Sequence, residues 1–199
     1  MSASFTRIQL ENWLKTIDVK ADNVLDIGGS QNIIKGRTKS FDVKEYKILD
    51  LEKPHELKQK PEIICDLNKR FEYIDNEDFI KNEKYFDIVF CMEVSEYFWN
   101  PFSAITNIKS LLKKGGILYI SFSFIYPVHN PVDQDYLRYT PRGVFKLLKE
   151  TGFEILEMKP RLESENSLLM PAFNIEGMRP AKGYNMHDCV GSLIKAKKK

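Results

Sequence analysis

The sequence predicts an α/β fold in which an open, mostly parallel sheet carries helices on both faces. Two observations predict it: short apolar runs alternate with segments of helical spacing, and the last two runs are compatible with a hairpin at the sheet edge. Seven runs have strand-like composition and length. They are NVLDI from residue 23, EYKILDL from 45, PEIICDL from 61, YFDIVFCM from 85, GGILYISFSF from 115, FEILEM from 153 and CVGSLIKAK from 189.

Three segments between or before these runs have helical periodicity. Apolar residues spaced along 5–17 predict an amphipathic helix near the N-terminus, within residues 1–20. PFSAITNIKSLLKK (101–114) predicts a second helix whose end is marked by Gly115-Gly116. Thr140 and Pro141 supply a hydroxyl cap and a first-turn proline for a third helix.

The 199 residues are expected to form one domain, with the proline- and glycine-containing stretch 164–188 as a loop or lid. The 30 basic and 28 acidic residues give a net charge of only +2, which disfavours nucleic acid as a partner. No apolar run approaches a membrane span of about 20 residues, and the first residues lack the apolar block of a signal peptide. We therefore expect a cytoplasmic monomer or homodimer without a membrane partner.

The three cysteines, Cys65, Cys91 and Cys189, are odd in number and far apart in strand-like sequence. This pattern disfavours both a disulfide framework and a metal cluster, so buried reduced thiols are expected and no metal is predicted.

The turn in VLDIGGSQN (24–32) follows the first strand, where open α/β sheets bind their ligands. A dinucleotide site favours glycine at positions 28, 30 and 33, but here these are Gly28, Ser30 and Ile33. A side chain at the second position hinders the approach of a pyrophosphate to the backbone. The turn therefore favours a nucleoside ligand that has an amino-acid tail and no phosphates.

Four segments in order resemble the successive motifs of the class I S-adenosylmethionine-dependent methyltransferases, in their small-molecule, type 11-like branch. These are VLDIGGSQN, ILDLEK, IICDLN and YFDIVFCMEVSEYFWNP with LLKKGGILYIS. The resemblance covers roughly residues 22–158 and rests on ordered spacing. It implies a doubly wound, seven-stranded Rossmann-like sheet, S-adenosylmethionine as cofactor, and methyl transfer to oxygen or nitrogen of a small molecule, with a sugar or related metabolite as the favoured acceptor.

The resemblance also implies roles for residues at the cofactor. Asp26 would support the turn and the methionine ammonium, and Gly28 would let the backbone pass close to the ligand. Asp50 would accept hydrogen bonds from the ribose hydroxyls, and Asp66 would accept one from the adenine amino group. The remaining cofactor-binding candidates are Gly29, Ser30, Met92 and Glu93.

Each of the three acids has an alternative interpretation as an ordinary strand-end or cap carboxylate. The chain also departs from the family pattern: Ser30 and Asn32 stand where glycine is usual, and Tyr97 stands where many relatives have histidine after Glu96.

The loop after the fifth strand-like run is the expected acceptor side. His129 is the candidate general base because a hydroxyl acceptor must lose its proton, although a lone loop histidine also occurs as a packing residue. Tyr136 and Arg138 are candidate substrate-binding residues. The alternatives are that Tyr136 packs the loop and that Arg138 pairs with Asp133 or Asp135.

Two further expectations concern neighbouring side chains. His55, in a polar stretch, is expected to face solvent, and His187 lies after the predicted lid. The aromatic group Tyr97, Phe98, Trp99 and Phe102 is expected to be mostly core, with part of it walling the ligand pocket.

Three other functions remain open at this point. The same fold and cofactor are compatible with a non-catalytic binding or partner protein, given the irregular first turn and Tyr97. A nicotinamide-dependent oxidoreductase is disfavoured by Ser30, and a nucleic-acid methyltransferase is disfavoured by the near-neutral charge.

Overall fold

A computed structural model describes residues 4–74, 76–162 and 189–199 of the chain. Its helices are α1 (Phe5–Leu14), α2 (Glu77–Lys81), α3 (Pro101–Leu111) and α4 (Pro141–Glu150), with short 3-10 turns at Phe71–Tyr73 and Ser95–Tyr97. Its strands are β1 (Asp18–Ile27), β2 (Ser40–Asp50), β3 (Ile63–Ile64), β4 (Phe86–Cys91), β5 (Leu112–Ser123), β6 (Phe153–Leu162) and β7 (Cys189–Lys198). The predicted lid at 164–188 and His187 lie outside the described residues.

The strands form one seven-stranded sheet in the order β3-β2-β1-β4-β5-β7-β6. Strands β1 to β5 pair in parallel, whereas β7 is antiparallel to both β5 and β6. The predicted fold class is confirmed, including the antiparallel pair at the edge. The order reverses at β1, so the carboxyl ends of β1 and β4 flank a crevice where ligands of such sheets bind.

Helices cover both faces of the sheet because successive strand residues point to opposite sides. Val24 packs with Leu10 and Trp13 of α1 on one face. Its neighbour Leu25 belongs to the core on the other face, which α2, α3 and α4 cover with residues such as Ile105. Within the described ranges, no helix has the length and apolar character needed to span a bilayer.

The start of β5 differs from the sequence-based prediction, which ended the preceding helix at the glycine pair. Helix α3 ends at Leu111, and Leu112 already pairs with Phe86 of β4. Leu112 is fully buried in the sheet core, and this burial favours the strand over another turn of helix at this position. Gly115 lies within β5 at a positive φ of 76°, next to a register shift between β4 and β5.

The connection from β1 to β2, residues 28–39, contains turns and bends and no helix. Asp26 at the end of β1 accepts a hydrogen bond from the backbone N–H of Ile34, 2.7 Å away, and Ile34 is fully buried. This contact folds the connection back on the sheet.

Helices α3 and α4 both begin as the sequence predicts. The Asn100 side chain accepts from the N–H of Ser103, and the Thr140 hydroxyl accepts from the N–H of Gly143. Each cap is followed by a proline in the first turn. Helix α4 therefore starts at Pro141, just after the loop that follows β5.

Candidate active site

A cavity of about 800 Å³ opens at the carboxyl ends of β1, β2, β3 and β4. Five of the predicted cofactor-binding residues lie on its wall, one or two at each strand end: Gly28, Asp50, Asp66, Met92 and Glu93. Parallel strands bring these positions together although they are spread over the first half of the sequence. The cavity volume lies within the range of ordinary small-ligand sites.

Gly28 forms the tight turn on the cavity wall. Its φ is +75°, and its N–H donates to the carbonyl of Leu49, 2.9 Å away. A Cβ atom at this position would lie 2.4 Å from Cγ2 of Val94. Glycine is therefore required here by both the backbone conformation and the close approach of the segment after β4.

Replacing Gly28 with alanine is expected to lower the free energy of unfolding by about 2–3 kcal/mol, combining left-handed backbone strain with a steric clash. The matched control is Gly36→Ala, since Gly36 has a φ of +87° and a Cβ atom added there would meet nothing within 4 Å. The control isolates backbone strain and should cost about 1 kcal/mol. Urea unfolding of both variants measures the difference in the free energy of unfolding. Equal losses in the two variants would show that the Val94 side chain moves aside without a measurable loss of stability.

Asp26 supports this turn from behind. Its buried carboxylate accepts from the N–H of Ile34 and from the hydroxyl of Tyr46, 2.5 Å away. Burial raises the pKa of Asp26 to about 6. A Cβ at Gly29 would lie 2.8 Å from the Asp26 carboxyl carbon, so the second glycine makes room for this acid.

Ser30 acts through its backbone. Its N–H donates to Oδ2 of Asp50 over 3.2 Å, and its carbonyl accepts from the N–H groups of Lys58 and Gln59. The side chain is fully buried. The first turn therefore positions the Asp50 carboxylate and also anchors the loop between β2 and β3.

Asp50 and Asp66 keep hydrogen-bonding capacity toward the cavity. Asp50 accepts one backbone bond at each oxygen, from Ser30 and Leu51, and a carboxylate can accept about four. The two bonds found for Asp66 both come from Asn68 and both fall on Oδ1. In the described structure, Oδ2 of Asp66 is thus free to accept from a ligand.

Glu93 lies at the end of β4 in a left-handed conformation with a φ of +57°. Its carboxylate accepts from Arg161, with the closest N–O distance 2.6 Å, and from the Ser121 hydroxyl at 2.8 Å. Burial works against its ionisation, yet the Arg161 guanidinium holds the pKa of Glu93 below its usual range. Arg161 also donates to the Thr6 carbonyl, so one buried side chain links β6, the cavity wall and α1.

Glu96 is a second buried acid on the cavity wall, and its side chain has no such partner. It is 4% exposed, and its Oε2 atom has no hydrogen bond within the described residues. Burial, followed by the nearby charge of Glu93, raises the pKa of Glu96 to about 7. A carboxyl group with this pKa exchanges its proton near neutral pH.

The part of the cavity wall that the sequence predicts as the acceptor side contains a cluster of ring side chains around Tyr97. The Tyr97 hydroxyl lies 2.8 Å from Nδ1 of His129 and 2.9 Å from the carbonyl oxygen of Asn130. His55 is exposed, as expected, and its ring packs edge-on against Tyr97 with 4.7 Å between centroids. His55, Tyr97 and His129 all lie on the cavity wall.

Arg138 holds the loop of His129 in place. Its five N–H donors are all used: they reach the Asp135 carboxylate and the carbonyls of Tyr126, Pro127 and Leu137. The alternative pairing with Asp135 is therefore present, and no donor remains for an acceptor molecule.

Tyr136, by contrast, lies on the cavity wall and is 49% exposed. Its N–H donates to the carbonyl of Glu96 over 2.9 Å. The predicted loop residue thus faces the space where an acceptor would enter.

The expectation that the aromatic group 97–102 is mostly core is wrong. Only Phe98 is buried, whereas Trp99 is 59% exposed and Phe102 is 55% exposed. A 3-10 turn at Ser95–Tyr97 opens this segment. Tyr97, Phe98 and Trp99 line the cavity, in agreement with the expectation that part of this group walls the ligand pocket.

Sequence reasoning missed three charged residues of the site. Arg7 of α1 and Arg37 of the β1–β2 connection both lie on the cavity wall and share Glu11 as a partner, with N–O distances of 3.0 and 2.8 Å. Glu96 stands out in the sequence only as the neighbour of Tyr97. The helical spacing of Arg7 and Glu11 is a usable signal for their pairing, but no local pattern indicates Arg37.

Comparisons with known proteins point to methyltransferases, as the motifs do. Residues 52–120 match a family model described as "Methyltransferase domain". A ubiquinone biosynthesis O-methyltransferase from Glaesserella parasuis serovar 5 is 45% identical over 60 residues, which cover 28% of this chain. The match spans about a quarter of that relative's length, 25%.

Solved structures resemble the whole described fold at low sequence identity. A putative methyltransferase from Bacillus halodurans has a TM-score of 0.58 at 16% identity, with 96% of this chain and 97% of that chain covered. The 1,6-didemethyltoxoflavin-N1-methyltransferase of Burkholderia thailandensis, solved with bound 1,6-didemethyltoxoflavin and S-adenosylhomocysteine, has a TM-score of 0.56 at 14% identity. The covered shares are 98% of this chain and 76% of that one.

A third solved structure, from Haloferax volcanii, is a putative methyltransferase in complex with the Trm112 methyltransferase activator. It has a TM-score of 0.59 at 12% identity, and the match covers 97% of this chain and 88% of that chain. These three likenesses concern the fold. With the ordered motifs and the methyltransferase domain matched over residues 52–120, they support a class I S-adenosylmethionine-dependent methyltransferase with S-adenosylmethionine as its cofactor.

Proposed function

We propose that this protein transfers the methyl group of S-adenosylmethionine to an oxygen or nitrogen atom of a small molecule. One observation carries the proposal: strand-end acids with free acceptor capacity and proton-accepting groups line the same cavity. Asp50 and Asp66 form the first set, and Glu96 and His129 form the second. Neither set alone would distinguish an enzyme from a binding protein.

The residues of the first set fit the chemistry of the cofactor. Asp50 retains lone pairs for two ribose hydroxyls, and Oδ2 of Asp66 can accept from an adenine amino group. Met92 supplies an apolar wall between them and is 8% exposed. Arg7 and Arg37 at the other end of the cavity provide positive charge for the carboxylate of an amino-acid tail.

When bound, the cofactor supplies an electrophilic methyl group on a sulfonium. The chain's own task is to align the acceptor, exclude water and remove a proton from a hydroxyl acceptor. His129 is positioned for proton removal at the cavity mouth, and the buried Glu96 carboxyl lies deeper in the wall. An amine acceptor in its free-base form already has a lone pair and does not need a base to remove a proton first. The presence of two potential proton acceptors therefore favours oxygen as the methylated atom.

Exposed rings at the cavity mouth indicate the shape of the acceptor. Trp99 and Tyr136 are both about half exposed, and Tyr126 lies beside them on the cavity wall. Flat aromatic faces bind flat rings or the apolar faces of sugars by stacking. We therefore propose a hydroxylated ring compound, either a phenol or a sugar-like metabolite, and the partial match to a ubiquinone biosynthesis O-methyltransferase supports the phenol.

Three buried free thiols, Cys65, Cys91 and Cys189, support a cytoplasmic location for this proposed enzyme, because thiols persist in a reducing compartment.

The first test is calorimetric titration with S-adenosylhomocysteine. We expect micromolar affinity for the wild type, and a loss of about 10- to 100-fold in Asp50→Ala, since hydrogen bonds to a charged acceptor contribute about 1.5–3 kcal/mol. Glu52→Ala is the matched control because Glu52 lies two residues further on, is exposed and does not line the cavity. Its affinity should stay within about twofold.

Two results would contradict the proposal. The first is absence of S-adenosylhomocysteine binding to the wild type, or equal binding of NAD. The second is cofactor binding without methylation of any acceptor in a panel of small phenols and sugars, which would instead support a non-catalytic cofactor-binding protein.

A further inference from the structure

The Tyr97 hydroxyl makes two close contacts but has only one proton. A carbonyl oxygen can only accept, so the contact with Asn130 O at 2.9 Å uses that proton. The contact with Nδ1 of His129 at 2.8 Å must then be donated by the imidazole. Only the tautomer with hydrogen on Nδ1 satisfies both contacts, and in neutral His129 it leaves the lone pair on Nε2.

The tyrosine keeps its proton in this arrangement. Burial, followed by the negative charges of Glu96 and Asp135, raises the pKa of Tyr97 well above its usual value. A neutral hydroxyl therefore donates to the carbonyl and accepts from the imidazole at every pH near neutrality. The direction of the two hydrogen bonds is set by the surroundings of Tyr97.

Both partners are held from more than one side. The backbone N–H of His129 donates to the Asp135 carboxylate, 2.5 Å away, and Arg138 fixes that carboxylate in an ion pair. The Tyr97 ring is packed against His55, and the N–H of Tyr136 binds the backbone just before Tyr97. The histidine and the tyrosine thus come from two segments joined by an independent set of contacts.

We propose that Tyr97 is a positioning residue that selects the Nδ1–H tautomer of His129 and so presents Nε2 as the proton acceptor in the cavity. The proposal builds on the proposed methyl transfer. In that step a proton leaves the acceptor hydroxyl for Nε2 as the new carbon–oxygen bond forms, and the demethylated cofactor leaves with the electron pair of the broken sulfur–carbon bond. Tyr97 itself exchanges no proton with the acceptor.

The tautomer is measured directly by long-range proton–nitrogen correlation spectra of protein labelled with ¹⁵N-histidine, at pH 8. Only His55, His129 and His187 contribute, and the spectrum of His129→Gln assigns the signal of interest. We expect wild-type His129 to show a protonated Nδ1 and an unprotonated Nε2. An Nε2–H tautomer in the wild type would overturn the proposal without any variant.

Tyr97→Phe removes the hydroxyl and keeps the ring, so His129 should shift toward the Nε2–H form, which an unconstrained histidine side chain favours in water. Tyr126→Phe is the matched control, since the Tyr126 ring lies 6.3 Å from the His129 ring and its hydroxyl forms neither of the two contacts described. In this control the tautomer of His129 should be unchanged. An unchanged tautomer in Tyr97→Phe would contradict the proposal.

Kinetics separate positioning from a structural role. Tyr97→Phe should lower kcat roughly tenfold while S-adenosylhomocysteine affinity stays within twofold, because the base is present in the wrong tautomer. A selective loss of cofactor affinity with unchanged kcat would contradict positioning. If the wild type shows the expected tautomer yet methylates no acceptor, the proposed function fails while the assignment of the hydrogen bonds stands.

Discussion

Arg161→Met is expected to lower the free energy of unfolding by about 2–4 kcal/mol, because it leaves the half-buried Glu93 carboxylate, whose side chain is 22% exposed, without its partner. Arg161 is 2% exposed, and it donates to Glu93 and to the carbonyl of Thr6. The methionine side chain fills most of the volume, so the loss reports on charge and hydrogen bonding more than on a cavity. The midpoint of urea unfolding, with the slope checked for two-state behaviour, measures the change.

The matched control lies two residues away on the same strand. Lys159 pairs with Glu157 at the surface with both side chains more than a third exposed, and Lys159→Met should change stability by less than about 1 kcal/mol. The double variant Glu93→Gln with Arg161→Met should recover more than half of the loss, since position 93 then carries no unpaired charge. A similar loss in the single and double variants would show that the Thr6 contact, rather than the Glu93 charge, determines the cost.

Most of the fold could be predicted from the sequence because the strands are short apolar runs that alternate with helical segments. The main errors concern positions where tertiary burial overrides local signals. Leu112 continues a helical pattern, yet burial against β4 makes it the first residue of β5.

The candidate site divides in the same way. Asp50 and Asp66 could be predicted to face a ligand because the ends of parallel strands meet at one edge. Arg161 and Glu93 are 68 positions apart in the chain, and Tyr97 and His129 are 32 apart. Such pairs are created by folding of distant segments and leave no periodic signal. The sequence therefore indicates His129 as a candidate base, whereas its partner Tyr97 stands out only as a departure from the family pattern.

Glu96→Gln is expected to stabilise the protein above pH 7 and to have a progressively smaller effect toward pH 4.5. Folding raises the pKa of Glu96 from 4.5 to about 7, so the folded protein binds more protons than the unfolded chain between these values. Ionised Glu96 consequently lowers wild-type stability as the pH rises through this window, and the penalty is complete above it. Glutamine removes a penalty of up to about 3 kcal/mol, the free energy that corresponds to this shift.

The comparison of Glu96→Gln with the wild type isolates Glu96, because Asp26, the buried acid behind the first turn, is present in both proteins. Asp26, with a pKa of about 6, contributes a slope of the same sign that cancels in the difference between variant and wild type. Unfolding is measured at intervals from pH 4.5 to 8, with Glu77→Gln as control for an 86% exposed carboxylate, expected to differ by less than about 0.5 kcal/mol throughout. A stability difference for Glu96→Gln that does not change with pH would show that this carboxyl group has the same proton affinity in the folded and unfolded chain. It would then be unavailable as a proton acceptor near neutral pH, and His129 would be left to perform that task at the acceptor hydroxyl.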